Sequence, residues 1–261
     1  MLLFHEQLRI LVGNLATEMT KKESISHLLA LPADQFKEEW YRTYYSSNAY
    51  SGTTGLIQNL MHRSLEMKYS NSRKFSNVLE IGSNKLEHLG YVQHQFDTYF
   101  ASDIWSTLEL EGLNSVNKNS KVKLVIADIH DIPWDDNHFD RIVVTCVFHH
   151  LADPETAYME LLRVLKPGGT LDILLSGDPG ILFRFARNVG PIRKAKLQGM
   201  REAKTLMDAR DHINHVGGLI RLAKHVYRNE NLKLKFFPLL MPVWDLALWI
   251  TIRVVKIETT N

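Results

Sequence analysis

The sequence predicts an α/β fold with a mainly parallel sheet, on three observations. From Asn77 onward, short apolar runs (NVLEI, TYFASDI, VKLVIAD, RIVVTCVF and TLDILLS) alternate with stretches patterned for helices. Acids stand at the ends of the first three runs (Glu80, Asp103 and Asp128), and Gly82 follows the first, as where a strand hands over to a helix across a ligand-binding turn. Two later runs, LKLKFFP and LALWITIRVVKI, are close enough in sequence to pair antiparallel at the sheet's edge. A chain of 261 residues accommodates one such core with appendages.

Before the first strand the signals are helical. Phe4, Leu8, Leu11 and Leu15 share one helical stripe, which His5, Glu6 and Arg9 interrupt too often for a secretory leader. The expectation there is an amphipathic helix packing on its own protein. Thr20 with Glu23 makes a capping box, and Asp34 is placed to cap QFKEEWYRTYY. The tract holding Trp40, Tyr41, Tyr44, Tyr45 and Tyr50 has two readings, ordinary packing or the aromatic wall of a ligand pocket. Residues 1–76 are therefore expected as an N-terminal helical lid on a core over 77–261.

Within that core, Asp153 can cap a helix with Pro154 at its first position, and KPGG, Lys166 to Gly169, is expected to end it. A basic helical insertion over 181–229 follows the fifth strand. It holds eleven Lys and Arg against three Asp and Glu, a surplus of +8 in a chain of net +2, which leaves the remainder at −6. The surplus is either a solvated face or a positive field for an acidic substrate or an anionic surface. Pro238, Pro242 and Asp245 break the C-terminal apolar stretch, so it reads as strand, turn and strand. No integral membrane segment is expected, and peripheral membrane contact stays open. One cysteine, Cys146, rules out an intramolecular disulfide and suits a reducing, cytoplasmic setting.

The stretch from Val78 to Ser176 resembles the class I S-adenosylmethionine-dependent methyltransferases. LEIG is similar to their first motif, ASDI to their second-strand acid, and LLRVLKPGG to the helix after their fourth strand. The surrounding pattern resembles a bacterial branch acting on surface polysaccharide or small molecules. The resemblance implies a Rossmann-like seven-stranded sheet, order 3-2-1-4-5-7-6 with strand 7 antiparallel and helices on both faces. It implies S-adenosyl-L-methionine as cofactor. Gly82 would then let the backbone approach the methionine part, Asp103 bind the ribose, and Asp128 with Ile129 hold the adenine edge. Glu80, Ser83, Asn84, Ile104 and Cys146 complete the expected cofactor site. Arg63, on a helical pattern before the first strand, either pairs with the cofactor's carboxylate through its fork of donors or is a surface arginine. Family members usually carry glycine where Asn84 and Leu86 stand. Asn tolerates a left-handed backbone, whereas Leu86 must find apolar cover. Without those glycines NAD is not expected, because its pyrophosphate demands close backbone approach.

A sulfonium methyl is already activated, so alignment and exclusion of water dominate, with a base needed for a hydroxyl acceptor. The base candidates are His149 after the fourth strand, Asp178 in SGDPG after the fifth, and His212 in ARDHINH. His150 reads as a packing and capping residue. No carboxylate cluster accompanies Asp211, His212 and His215, so no metal is expected. The sequence reading is methyl transfer to a hydroxyl on an acidic small-molecule or glycan acceptor. Its alternatives are a binding or scaffold protein that keeps the fold, and a membrane-associated lipid methyltransferase. Nucleic acid is not expected as substrate, because the basic surplus comes without a recognition module.

Overall fold

The computed structural model describes residues 25–45, 48, 52–104, 109, 112–114 and 117–258. The N-terminal stripe, the Thr20 and Glu23 capping box, and Tyr50 lie outside the described residues. The strands are β1 (Lys74–Ile81), β2 (Gln95–Asp103), β3 (Val122–Ile126), β4 (Phe139–Thr145), β5 (Leu165–Ser176), β6 (Asn231–Pro238) and β7 (Ala247–Val255). They form one sheet in the order β3-β2-β1-β4-β5-β7-β6. β1 to β5 run parallel, and β7 is antiparallel to both neighbours. The seven-stranded order implied by the resemblance is the observed one.

The helices are α1 (Ala33–Trp40), α2 (Gly52–Glu66), α3 (Pro154–Val164), α4 (Ile181–Arg187), α5 (Arg193–Leu197), α6 (Arg201–Asp211) and α7 (Val216–Val226). Asp153 caps α3 as expected, its carboxylate accepting from the Thr156 amide at 3.1 Å, with Pro154 in the first turn. Two local expectations fail. Asp34 lies inside the first turn of α1 and caps nothing; Pro32 holds the capping position. KPGG does not end α3 but forms the opening of β5, where Gly168 at φ 75 bends the chain into the strand.

The chain divides into two units, neither of which follows the expected boundaries at 76/77 and 181/229. One combines the described part of Met1–Leu56 with Ala186–Asp211; the other holds Ile57–Phe185 and His212–Asn261. In the smaller unit Phe36, Trp40 and Tyr44 are buried with Leu28, Ala195, Ala203 and Met207, so the aromatic tract packs its own core. Its basic residues are partly neutralised internally: Lys37 pairs with Asp211 at 2.5 Å, and both Arg187 and Lys204 pair with Asp208.

In the larger unit, α3 and α7 cover one face of the sheet, where Leu79, Ile142, Ile173 and Ile252 meet Tyr158, Leu161, Leu219 and Tyr227. The Tyr158 hydroxyl donates to Leu219 O and the Tyr227 hydroxyl to Tyr158 O, at 3.2 and 2.9 Å, so these buried phenols are satisfied. On the other face α2 brings Met61 and Leu65 against Val143, Leu174 and Trp249. That face also buries a charged network. Arg141 on β4, fully buried, donates to Glu66 of α2 (2.5 and 3.2 Å) and to Asp172 of β5 (3.2 Å), and contacts His94. Asp172 also accepts from Arg253 of β7 at 2.6 Å and from the Tyr69 hydroxyl at 2.6 Å. Arg141 lies 4.1 Å from the centre of the Tyr69 ring.

Candidate active site

The turn after β1 is built by backbone conformation. Gly82 has φ 74, and a Cβ there would run into the side chain of Val147, just beyond β4, so both space and dihedral demand glycine. The Gly82 and Ser83 amides donate to Ser102 O at 2.9 and 3.1 Å, and the Ser83 hydroxyl does so at 3.2 Å. Ser83 is buried with its amide and hydroxyl committed to β2, which takes its side chain out of the expected cofactor set. Asn84 and Leu86 continue at φ 43 and φ 64. This left-handed conformation costs a non-glycine residue roughly 1–2 kcal/mol. Asn84 offsets the cost through its amide, which donates to Asp103 Oδ2 at 2.9 Å, and its Nδ2, which donates to Glu87 Oε1 at 3.0 Å. Leu86 finds its apolar cover in the cluster of Phe75, Val78, Tyr99, Ala101 and Val122. The shape usually given by glycines is thus retained by two other residues.

Three strand-end acids have three different states. Glu80 is buried, accepts from the Tyr99 hydroxyl at 2.7 Å, and is pushed up to about 7 by burial. Asp103 is also pushed up by burial, against the hydrogen bonds it accepts from the Asn84 and Ile104 amides. Asp128 is exposed and held below the usual range by the His130 amide at 2.9 Å and the His130 ring at 2.7 Å. Ile104, beside Asp103, is 76% exposed, a bare apolar side chain at the end of β2. Ile129 is buried in the main core, leaving only its backbone to face a ligand.

Cys146 is half-buried, packs against the cluster of Met61, Leu65, Val143, Leu174 and Trp249, and stands between Thr145 and Val147, which border the Gly82 turn. Its desolvated surroundings push the thiol up to about 12. One expected cofactor residue is not brought to the turn. Arg63 is exposed on α2, and its side chain makes no hydrogen bond among the described residues. The contact from α2 to the segment after the turn comes from its neighbour His62, which stacks on Tyr91 (5.1 Å between ring centres) and meets His88 Nδ1 at 3.1 Å.

Beyond β4 and β5 the three base candidates come together. His149 is buried, its Nε2 accepts from the Ser176 amide at 2.9 Å, and its Nδ1 lies 3.3 Å from Asn214 O. This assigns the proton to Nδ1 and leaves no lone pair for a substrate. Burial holds the ring near pKa 3, so it stays neutral. The base role expected of His149 is therefore corrected to that of a clamp between β5 and the 212–215 loop. His212 stacks on it, with ring centres 5.4 Å apart. The His212 Nδ1 meets Asp178 Oδ2 at 2.9 Å, and no described residue hydrogen-bonds its Nε2. The ring is 26% exposed, and the Val216 amide anchors Asp178 O at 3.0 Å.

Residues 64–173 match the methyltransferase-domain family. Over those residues the chain carries a methyltransferase domain. Its sheet order is the one found here, and solved methyltransferases share the fold. One, a putative S-adenosyl-L-methionine-dependent methyltransferase from Methanococcus maripaludis, has a TM-score of 0.54 at 17% identity, covering 87% of this chain and 94% of that one. The N-methyltransferase NodS of Bradyrhizobium japonicum has a TM-score of 0.51 at 16% identity, over 81% of this chain and 99% of its own. In sequence, the chain is 28% identical over 159 residues to the ubiquinone/menaquinone biosynthesis C-methyltransferase UbiE of Pseudomonas fluorescens, covering 57% of this chain and 62% of that protein. It is 36% identical over 63 residues to the demethylmenaquinone methyltransferase of Clavibacter sepedonicus, 24% of this chain and 26% of the relative. The matches thus span less than two thirds of these relatives' lengths.

The residues of this methyltransferase domain fit S-adenosylmethionine. The glycine-only position 82, the left-handed turn with Leu86 tucked into its own cluster, the Asp103 carboxylate and the bare Ile104 side chain suit a ligand with a ribose and a flat ring. Sequence reasoning gave no role to His62, Glu66, His88, Arg141 and Asp172, which form a buried polar network between α2 and the sheet. The available signal was charge inside otherwise apolar strands: Arg141 in RIVVT, Asp172 in TLDILL and Arg253 in TIRVV.

Proposed function

We propose that this protein transfers the methyl group of S-adenosylmethionine to a small-molecule acceptor whose ring carries a hydroxyl, with Asp178 and His212 removing the acceptor's proton. The observation that carries the reading is the 2.9 Å contact between Asp178 Oδ2 and His212 Nδ1 at the carboxyl end of β5. By accepting the Nδ1 proton, the carboxylate orients the ring and leaves the Nε2 lone pair as a base, and it stabilises the imidazolium once the proton arrives. His149, neutral and stacked on His212, holds the ring's plane.

When bound, S-adenosylmethionine supplies a methyl already activated by its sulfonium. Asp103 would hold its ribose, Ile104 would cover its adenine, and the Asp128 and Ile129 backbone would meet the adenine edge. The protein then aligns the acceptor and excludes water. Ionising a ring hydroxyl raises electron density both on the oxygen and on the neighbouring ring carbon, so one base serves either product. The hydroxyl oxygen is the position expected from the sequence; the ring carbon is favoured by relatives named as quinone-pathway C-methyltransferases.

The test is incubation with S-adenosylmethionine and a panel of quinols and phenols, with product mass and methyl position read by mass spectrometry and NMR. Turnover is expected, and His212→Ala should lower kcat by about 10²–10⁴-fold with little change in cofactor affinity. Equal turnover by His212→Ala and wild type would remove the dyad from the mechanism.

A further inference from the structure

We infer that the tip joining β6 to β7, together with the first turn of α4, is a docking surface for an anionic lipid membrane. The tip exposes Leu239, Leu240, Met241, Val243 and Leu246, from 37% to 64% of each residue. α4, with the sequence ILFRFAR, has no buried residue, and Ile181 and Phe185 are 58% and 64% exposed. These are one surface: Gly180, just before α4, sits so close to the tip that a Cβ there would lie 2.9 Å from Trp244 O and 3.2 Å from Asp245 Cα.

The exposure is built into the backbone. The Leu240 amide donates to Phe236 O at 2.7 Å and the Leu246 amide to Val243 O at 3.1 Å, which folds the tip back over the end of β6. Leu240 is held at φ 55, a strained conformation for leucine that brings its side chain no burial. Strain kept where it contributes nothing to the core points to use outside the fold. The place is also informative, since the Gly177 amide donates to Leu248 O at 2.9 Å and the tip therefore stands past the carboxyl end of β5, beside Asp178.

Basic residues run back from the tip along β6 and select the partner. Lys235 precedes Phe236, to which the tip is hydrogen-bonded; Lys233 shares its face of β6 further from the tip, opposite Arg253, and the tip itself holds one acid, Asp245. Lys68 lies near enough to Arg253, Lys235 and Lys233 for their repulsion to lower its pKa. Among the described residues, none of these three lysines makes an ion pair, and Arg184 stands exposed and equally unpaired between Ile181 and Phe185. Protein interfaces are depleted of lysine at their centres. Apolar side chains flanked by free cations instead match a headgroup layer, where the apolar groups insert and the cations meet lipid phosphates. Among the described residues no helix is long and apolar enough to cross a membrane, so the contact is with the surface. The inference is independent of the acceptor's identity.

The experiment is flotation of the full chain with vesicles of phosphatidylcholine alone, or containing about one third phosphatidylglycerol, at low and high salt. Wild type should float with the anionic vesicles, more weakly in high salt and with neutral ones. Leu239→Ser/Leu240→Ser/Met241→Ser and Lys233→Glu/Lys235→Glu should each reduce partition about tenfold or more. All these side chains are at least partly exposed, and unchanged S-adenosylmethionine binding and circular dichroism would verify the fold of each variant. Wild type left at the bottom of the gradient with both vesicle types, or a serine variant that floats like wild type, would overturn the proposal. Loss of a wild-type dimer in the serine variant, without flotation of either, would overturn it as well and make the surface a contact between copies.

Discussion

Two glutamates buried on the same face of the sheet mark regions that handle burial in opposite ways. Glu66, halfway along the strands, is met by Arg141 and His88; burial pushes its carboxyl up, but the His88 hydrogen bond and the Arg141 charge prevail and hold it at about 2. Glu80, under the Gly82 turn, has a tyrosine hydroxyl as its hydrogen-bond donor and is pushed up to about 7. The middle of the sheet is therefore cross-linked by matched charge, and the end at the Gly82 turn carries an acid with no cationic partner in hydrogen-bond reach and three departures to positive φ, at the alternate residues 82, 84 and 86. The difference shows where this fold keeps stability and where it spends it, with His62 and His88 joining the two regions through a hydrogen-bond chain that ends on Glu66.

Arg141→Met should break the comparison most severely. It fills the space but leaves buried Glu66 with His88 as its remaining partner and Asp172 with Arg253 and the Tyr69 hydroxyl, so a loss of about 3–5 kcal/mol is expected in denaturant unfolding. A variant as stable as wild type would mean that the network is only an apolar filler in disguise.

Glu80→Gln should sharpen the contrast through pH. Because the folded pKa of about 7 exceeds the ordinary 4.5, the folded state binds the proton more tightly than the unfolded chain. Stability from this group is therefore full below the unfolded value, falls as pH rises from about 4.5 to 7, and is flat above. The glutamine keeps an acceptor for Tyr99 and should stabilise the protein by up to ~3 kcal/mol at pH 8, and by almost nothing at pH 4. Glu66 runs the other way: its contribution is present above about pH 4.5 and is lost as pH falls towards 2. Parallel pH profiles for Glu80→Gln and wild type would contradict this assignment.

The smallest effects belong to the turn. Leu86→Ala removes packing without relieving φ 64 and should cost about 1–2 kcal/mol, whereas Leu86→Gly relieves the backbone and should cost less than about 1 kcal/mol. If alanine is the milder change in thermal unfolding, the left-handed strain at Leu86 is not real.

The strands were legible because most are largely apolar runs, with LKLKFFP alternating instead, and the turn after β1 because Gly82 falls at a strand end. Long-range pairing was not. In HHL nothing in one dimension says which histidine turns inward; His149 does so because Ser176, 27 residues away, offers its amide. Asp178 and His212 are 34 residues apart and meet only because α4, α5 and α6 intervene and return the chain. The unit boundaries were missed for the same reason, as Ala186–Asp211 joins a segment more than a hundred residues earlier.

If Asn84 and Leu86 keep the shape of a cofactor turn without glycine, the protein binds S-adenosylmethionine at that turn. Calorimetric titration of the purified protein with S-adenosylmethionine, beside Asp103→Ala, tests it most directly. Micromolar-range binding, about −8 kcal/mol, is expected, weakened about tenfold or more in the variant through loss of a charge-assisted contact. Absence of binding to well-folded wild-type protein, or equal binding by Asp103→Ala, would contradict it.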